Sequence, residues 1–330
     1  MNIIYHIAIH DLIKTDAGFK VSLGQDNAPI TPTVTRVIDM LYDLYSRRAS
    51  KSHGKFAENE ADYPTQGHIR DFVNSNFQNF SDLTKKMMKT LQKEAGHKGA
   101  ATGGHVFFAH FEREEQHFLL VTIVTDKLGA ALTHNFEVKD VTHLDIDGFR
   151  FAGRINITNW SLNGQRYVGF LKGKGDVSEY FKEFLGCDTT ELERKDTADL
   201  VAALKKFTED QHMAPEAKGK FLAKAKHICD EAAKQREEIH FQALANELLP
   251  NAPEPLVLAL ANPDIGLNDG FIPNRRALGA LVKFRGKTKF WSIEFDREAL
   301  SGGAIHYNKD DNSLTLRELP PELVNQLKSE

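Results

Sequence analysis

The chain has little cysteine. Cys187 and Cys229 are the only two among 330 residues, whereas a cysteine-rich zinc site needs four ligands at close spacing. Both lie in apolar stretches that read as helical, so they are expected to be reduced and buried, as in a reducing compartment. Long hydrophobic runs are missing too. The longest, Phe118 to Val124, falls far short of the roughly 20 residues that cross a bilayer as a helix, so no membrane partner is expected. The amino terminus, Met1-Asn2-Ile3-Ile4-Tyr5-His6, lacks the positive start of a secretion signal, and export is not expected. Nor is there an excess of positive charge: 42 Lys and Arg stand against 46 Asp and Glu, a net charge of −4. Any contact with nucleic acid must therefore be local. A local patch suffices, because the Debye length at physiological salt is about 8 Å and distant carboxylates cannot cancel it.

Several catalytic signatures are also absent. No Gly-x-Ser-x-Gly elbow or Gly-x-Gly-x-x-Gly fingerprint occurs, which leaves hydrolase and dinucleotide-binding readings without support. Histidines 105, 110, 117, 134 and 143 show neither His-x-His nor His-Glu-x-x-His spacing, so no metal and no cofactor is expected. Internal repeats and low-complexity tracts are lacking as well.

What is present describes an ordinary globular chain. Hydrophobic residues make up 41% and charged residues 27%, and the length suggests two domains. Ile3 to Ile13 alternates with a period of two, as a strand does, and Phe19 to Leu23 is its expected partner. Thr31 and Pro32 open a helix with an apolar stripe from Val34 to Tyr45. Ser46 to Gly67 turns polar and reads as a loop, and helical spacing resumes at Ile69 to Phe80 and, after a cap at Ser81, runs to Gly96. Strands are expected at Val106 to Phe111, Phe118 to Val124 and Phe151 to Ile157, followed by a short helix ending at Gly186. Beyond it, Asp196 to Gln211, Glu216 to Arg236 and Ile239 to Leu249 are helical, and β patterns return at Leu281 to Phe295 and Ile305 to Leu316. The fold class is α+β: a mixed, largely antiparallel sheet with packed helices, then a helical region and carboxyl-terminal β-hairpins. The domains are placed at 1–187 and 188–330.

Tyr167-Val168-Gly169-Phe170-Leu171-Lys172-Gly173, running into Phe181-Lys182-Glu183-Phe184-Leu185-Gly186, resembles the bacterial nucleoid-associated NdpA family. His143-Leu144-Asp145-Ile146 agrees with it, as do Asn312 to Leu316, Leu319-Pro320-Pro321-Glu322-Leu323 and Gln326-Leu327. The resemblance extends from Ile7 to Leu327. It implies a cytoplasmic protein of the nucleoid that binds double-stranded DNA with little sequence preference and has no catalytic residues. It supplies no motif from which a site can be transferred.

The site is therefore sought in the residues. Asn274 to Ile293 carries Arg275, Arg276, Lys283, Arg285, Lys287 and Lys289 without one acidic residue. The last four alternate with Val282 and Phe284, so one face of a β-ribbon can present a basic row to phosphates. An edge hairpin carrying lysine against aggregation is the plainer account of the same pattern. Trp291 shares parity with Ile293 and Phe295 and reads as core rather than as a base-stacking residue. Lys172 and Lys174 flank Gly173 ahead of a helix and are second-tier candidates for DNA contact, with a plain structural turn the simpler account. Lys85, Lys86, Lys89, Lys93 and Lys98 read as a solvated helix face, and the helix-turn-helix look of Ile239 to Leu248 is spoiled by the acidic, apolar segment after Pro253.

Two further functions stand beside DNA binding. One is a protein-interaction module that recruits DNA-processing machinery, suggested by the overall acidity and the helical region. The other is a magnesium-dependent nuclease, resting on Asp126, Glu137 and Lys139, which works only if these three converge. A homodimer is favoured, because two copies double a small basic patch.

Overall fold

Period-two segments of the sequence become neighbouring strands. The structure is a computed structural model that describes residues 2–24, 27–97, 101–172, 179–189 and 193–329. The chain forms two units, Met1–Glu191 with Ala261–Asp269, and Leu192–Leu260 with Gly270–Glu330.

The first unit runs β1 (Ile3–Thr15), β2 (Gly18–Ser22), α1 (Pro32–Arg47), β3 (Lys51–Phe56), α2 (Thr65–Asn74), α3 (Phe80–Gly96), β4 (Gly104–Arg113) and β5 (Gln116–Val124). It continues with β6 (Asp126–Leu132), β7 (Val138–Leu144), β8 (Phe151–Asn156), α4 (Ile157–Ser161), β9 (Val168–Leu171), α5 (Glu179–Leu185) and β10 (Cys187–Asp188). Eight of these strands form one sheet in the order β10-β3-β9-β8-β5-β4-β1-β2, and every neighbouring pair is antiparallel. Such a sheet needs no crossover helices, and its alternation sends apolar side chains to both faces. Val106 and Phe108 of β4 join a core with Leu83, Met87, Phe181 and Phe184. Phe107, Ala109 and Phe111 join another with Ile38, Leu41 and Tyr45 of α1. α1 begins as the sequence implies, with the Thr31 hydroxyl accepting from the Val34 N–H at 3.3 Å and Pro32 in the first turn.

The expected loop from Ser46 to Gly67 contains the interior strand β3, and α2 already begins at Thr65. Polarity concealed the strand, because Lys51, Ser52 and His53 are buried. The Lys51 side chain and the His53 backbone have clear partners. Lys51 Nζ donates to the carbonyls of Tyr45 at 3.0 Å, Ser46 at 3.1 Å and Arg48, and so caps the carboxyl-terminal end of α1. The His53 N–H donates to Asn268 Oδ1 at 2.7 Å. Asn79, not Ser81, precedes α3, and Cys187 lies in β10 rather than in a helix.

Ala261–Asp269 is tied into this unit by Arg154 on β8, whose side chain is 6% exposed. Its Nη1 donates to Asp264 Oδ1 at 2.8 Å and to the Tyr42 hydroxyl at 3.2 Å, and its Nη2 to the Pro263 carbonyl at 2.9 Å.

The second unit contains α6 (Glu193–Asp210), α7 (Pro215–Gln235), α8 (Phe241–Leu248), α9 (Glu254–Ala261) and α10 (Arg275–Leu278), then the hairpins β11 (Lys283–Lys287) with β12 (Ser292–Asp296) and β13 (Ile305–Asn308) with β14 (Ser313–Leu316). α11 (Glu298–Ser301) lies between the hairpins, and α12 (Pro321–Lys328) follows them. Leu200, Leu204, Leu222, Phe241, Leu244 and Leu278 are among its buried residues. Leu256 and Leu260 of α9 are buried as well, in keeping with a structural role for the segment after Pro253. The whole is an α+β fold. Among the described residues, no helix is long and apolar enough to cross a membrane.

Candidate nucleic-acid interface

The basic stretch of the sequence folds as the β11–β12 ribbon, and its register redistributes the charge. Lys283 faces Asp296, Arg285 faces Glu294, and Lys287 faces Ser292. Directly opposed residues of an antiparallel pair share a face, so two carboxylates from β12 enter the expected basic row. Lys283 Nζ lies 2.8 Å from Glu294 Oε1. The stretch is acid-free in sequence but not across the ribbon. Of Arg285, only the backbone pairing belongs to the described structure.

Positive charge is accordingly displaced toward the turn, where Lys287 and Lys289 are exposed. The other face is apolar, with Phe284 and Phe295 rings 5.4 Å apart and the Arg297 guanidinium 4.4 Å from the Phe284 ring centre. Trp291 does not join a core. It is 54% exposed and Phe290 is 88% exposed, because strand parity sets the face of a side chain but not whether anything covers that face. A hollow of ≈ 340 Å³ is lined by Gly286, Lys287, Ser292, Ile293 and Glu294. A single hairpin supplies all of these walls, which does not enclose a small molecule.

Arg275 and Arg276 begin α10 and are both exposed. Asn274 Oδ1 accepts from the Ala277 N–H at 3.2 Å, and the Asn274 N–H donates to Thr197 Oγ1 at 2.8 Å, which fixes the start of this helix. Arg275 Nε lies 3.9 Å from Asp230 Oδ1, a long pair in which the exposed guanidinium keeps its other donors available. Lys172 donates to the Asp269 carbonyl at 2.8 Å, so its ammonium already holds backbone in the first unit. Lys174 lies outside the described residues. On α3, Lys86 is paired with Asp71 at 3.2 Å and Asp82 at 2.8 Å, consistent with a solvated face.

Asp126 stays apart from the other two residues of the nuclease reading. Asp126 pairs with Leu144 at one end of the β6–β7 ribbon, whereas Lys139 pairs with Ala131. Five residues of strand separate these positions, roughly 17 Å at the usual rise. Asp126 Oδ2 instead lies 3.3 Å from His105 Nε2, and Lys139 Nζ lies 3.9 Å from Glu137 Oε2.

Sequence spacing missed one cluster. His6 Nδ1 and His110 Nδ1 are 3.0 Å apart, and His110 Nε2 and His117 Nδ1 are 3.1 Å apart. Phe77 stacks on the last two at 4.8 and 4.7 Å. The contact crosses β1, β4 and β5, so only strand register reveals it. Burial pulls His110 down to about 3, which keeps it neutral. Among the described residues, no three His, Cys, Asp or Glu side chains are placed to hold a metal ion.

With this geometry established, comparison with known proteins gives a consistent result. Residues 8–324 match the family described as nucleoid-associated protein YejK. A nucleoid-associated protein of Metapseudomonas resinovorans is 28% identical over 98% of this chain and 99% of its own length. One from Azotobacter vinelandii is 27% identical over 98% of each chain, and one from Pseudomonas paraeruginosa is 28% identical over 98% of this chain and 96% of its own. The chain belongs to the YejK family of nucleoid-associated proteins.

Proposed function

We infer that the chain acts at the bacterial nucleoid, in the cytoplasm, by binding double-stranded DNA with little sequence preference. The observation that carries this reading is the turn end of the β11–β12 ribbon, where Lys287 and Lys289 are exposed and Ser292 rather than a carboxylate stands opposite Lys287. Arg275 and Arg276, exposed on α10, are further phosphate contacts, and Lys283 and Arg285 lie along the same ribbon. Side chains of this kind neutralise phosphates without reading base edges, and the released counterions supply the affinity. The role is binding, with no catalytic residue, metal or cofactor assigned.

Fluorescence anisotropy on unrelated duplexes tests this reading. Affinity should be nearly independent of sequence and fall steeply with salt, by about 0.9 on a log-log plot for each phosphate neutralised. Absence of binding at low salt would overturn it.

A second reading, recruitment of DNA-processing proteins, is favoured by the β6–β7 ribbon, where Leu128, Leu132, Phe136 and Val138 are each more than 60% exposed. Partners retained by the chain after nuclease treatment, and lost when this ribbon is removed, would support it. We also infer a homodimer, which doubles the small basic end of β11–β12 and raises avidity. Light scattering of the free chain checks it.

A further inference from the structure

The turn of the β11–β12 ribbon carries two adjacent aromatic rings that no core accounts for. Phe290 is 88% exposed and Trp291 is 54% exposed. Single exposed aromatics need no explanation. This pair, however, coincides with the end of the ribbon where positive charge is least compensated, since Glu294 and Asp296 stand toward the base, opposite Arg285 and Lys283. Lys289 Nζ lies 5.6 Å from the centre of the Phe290 ring, so charge and apolar surface are presented together.

Local hydrogen bonds order the backbone of the turn that carries the rings. Thr288 Oγ1 accepts from the N–H groups of Phe290 and Trp291, each at 3.2 Å. The Thr288 N–H donates to the Trp291 carbonyl at 2.8 Å. The indole lies over Gly286, with Trp291 Cζ3 3.4 Å from where a Cβ on that residue would stand. Trp291 therefore lies against the strand, half covered, while Phe290 projects. A turn fixed in this way presents the exposed ring without first having to order its backbone.

We propose that Phe290, exposed at the turn beside Trp291, is a wedge that enters between base pairs of duplex DNA while Lys287 and Lys289 hold the flanking phosphates. The inference rests on the DNA reading of the same ribbon. Apolar wedges beside basic side chains unstack a base step and kink the duplex, and pyrimidine–purine steps yield most easily. Bound DNA is therefore bent, with a mild preference for flexible or mismatched steps and no reading of base edges. Aromatics beside lysines also suit a lipid surface. Membership of a nucleoid-associated family makes DNA the occupant.

The chain has two tryptophans, so Trp160→Phe leaves Trp291 as the only indole. In that full-length background, duplexes with 2-aminopurine at a TA step report unstacking, and duplexes with a dye at each end report bending. On binding, 2-aminopurine should brighten, the ends should approach, and Trp291 emission should be quenched. Phe290→Ala should lose brightening and bending, bind roughly tenfold more weakly, and keep the salt slope of its parent. Phe290→Leu should retain part of the bend, and circular dichroism verifies that each variant is folded. Three outcomes overturn the proposal. If DNA binds with full affinity but without unstacking or bending, and Phe290→Ala matches its parent, the wedge fails while DNA binding stands. If no duplex binds at low salt, both fail. If Trp291 shifts to the blue on vesicles of phosphatidylglycerol and phosphatidylethanolamine but does not respond to DNA, the occupant is a membrane surface.

Discussion

Replacing Arg154 with methionine tests what holds Ala261–Asp269 in the first unit. The guanidinium donates to Asp264, Tyr42 and the Pro263 carbonyl, and it lies 4.7 Å from the centre of the Phe118 ring. Methionine fills much of the volume but supplies no donor. Removing one partner of a buried ion pair costs about 3–5 kcal/mol. Asp264 is 42% exposed and can recover water, which places this case near the lower end, about 3 kcal/mol. That is a large share of the roughly 5–15 kcal/mol that holds a domain folded. With a urea dependence of about 2 kcal/mol per molar, the midpoint should fall by roughly 1.5 M. Trp160, in the first unit, is the reporter, read in a Trp291→Phe background by fluorescence during urea unfolding. Arg154→Lys should recover only part of the loss, since an ammonium lacks the planar fork that reaches several acceptors at once. An unchanged midpoint for Arg154→Met would refute the role assigned to this side chain.

Lys51→Met should also destabilise the first unit, by about 2–3 kcal/mol, because three carbonyls at the end of α1 lose their donor. Urea unfolding measures the loss, and circular dichroism should show fraying of α1. Burial pulls Lys51 down to about 7, whereas its three carbonyl acceptors match the ammonium. Acid should weaken the fold through two histidines: burial pulls both His53 and His110 from 6.5 to about 3. Below pH 6.5 the unfolded chain takes up protons that these sites refuse, so their stabilisation is full above that pH and is lost as the pH falls toward 3. The slope is about 1.4 kcal/mol per pH unit for each histidine, or about 4 kcal/mol for the pair by pH 5. Urea midpoints at pH 7 and pH 5 should differ accordingly, and His53→Phe with His110→Phe should flatten the difference.

Elements were legible in the sequence wherever burial and periodicity agreed. β4 and β5 read as nearly continuous apolar runs because both faces of the sheet are covered there, β1 shows period-two alternation, and Thr31-Pro32 marks the start of α1 by its own chemistry. β3 was hidden because its polar residues are held by partners that composition does not reveal, the end of α1 for the Lys51 side chain and Asn268 for the His53 N–H. The same limit applies to the ribbon. Its existence followed from alternating residues, but the carboxylates facing Lys283 and Arg285 come from β12, beyond the acid-free stretch. Trp291 was misread because parity predicts which face a residue takes and not what covers it. Convergence of His6, His110 and His117 is likewise a property of register.

Charge reversal at the end of the ribbon tests the central claim most directly. Lys287→Glu with Lys289→Glu changes two exposed positions, at which surface substitutions typically alter stability by only about 0.5 kcal/mol each. A control, Lys206→Glu with Lys220→Glu, makes the same change of charge on α6 and α7, where these side chains are 71% and 77% exposed. Anisotropy titrations of one duplex across a range of salt compare both variants with the parent chain. The ribbon variant should bind far more weakly and flatten the log-log salt slope by about 1.8, the share of two phosphate contacts. The control should keep its parent's slope and most of its affinity. Equal losses in the two variants, or an unchanged slope in the ribbon variant, would contradict the assignment of the DNA-binding surface to Lys287 and Lys289.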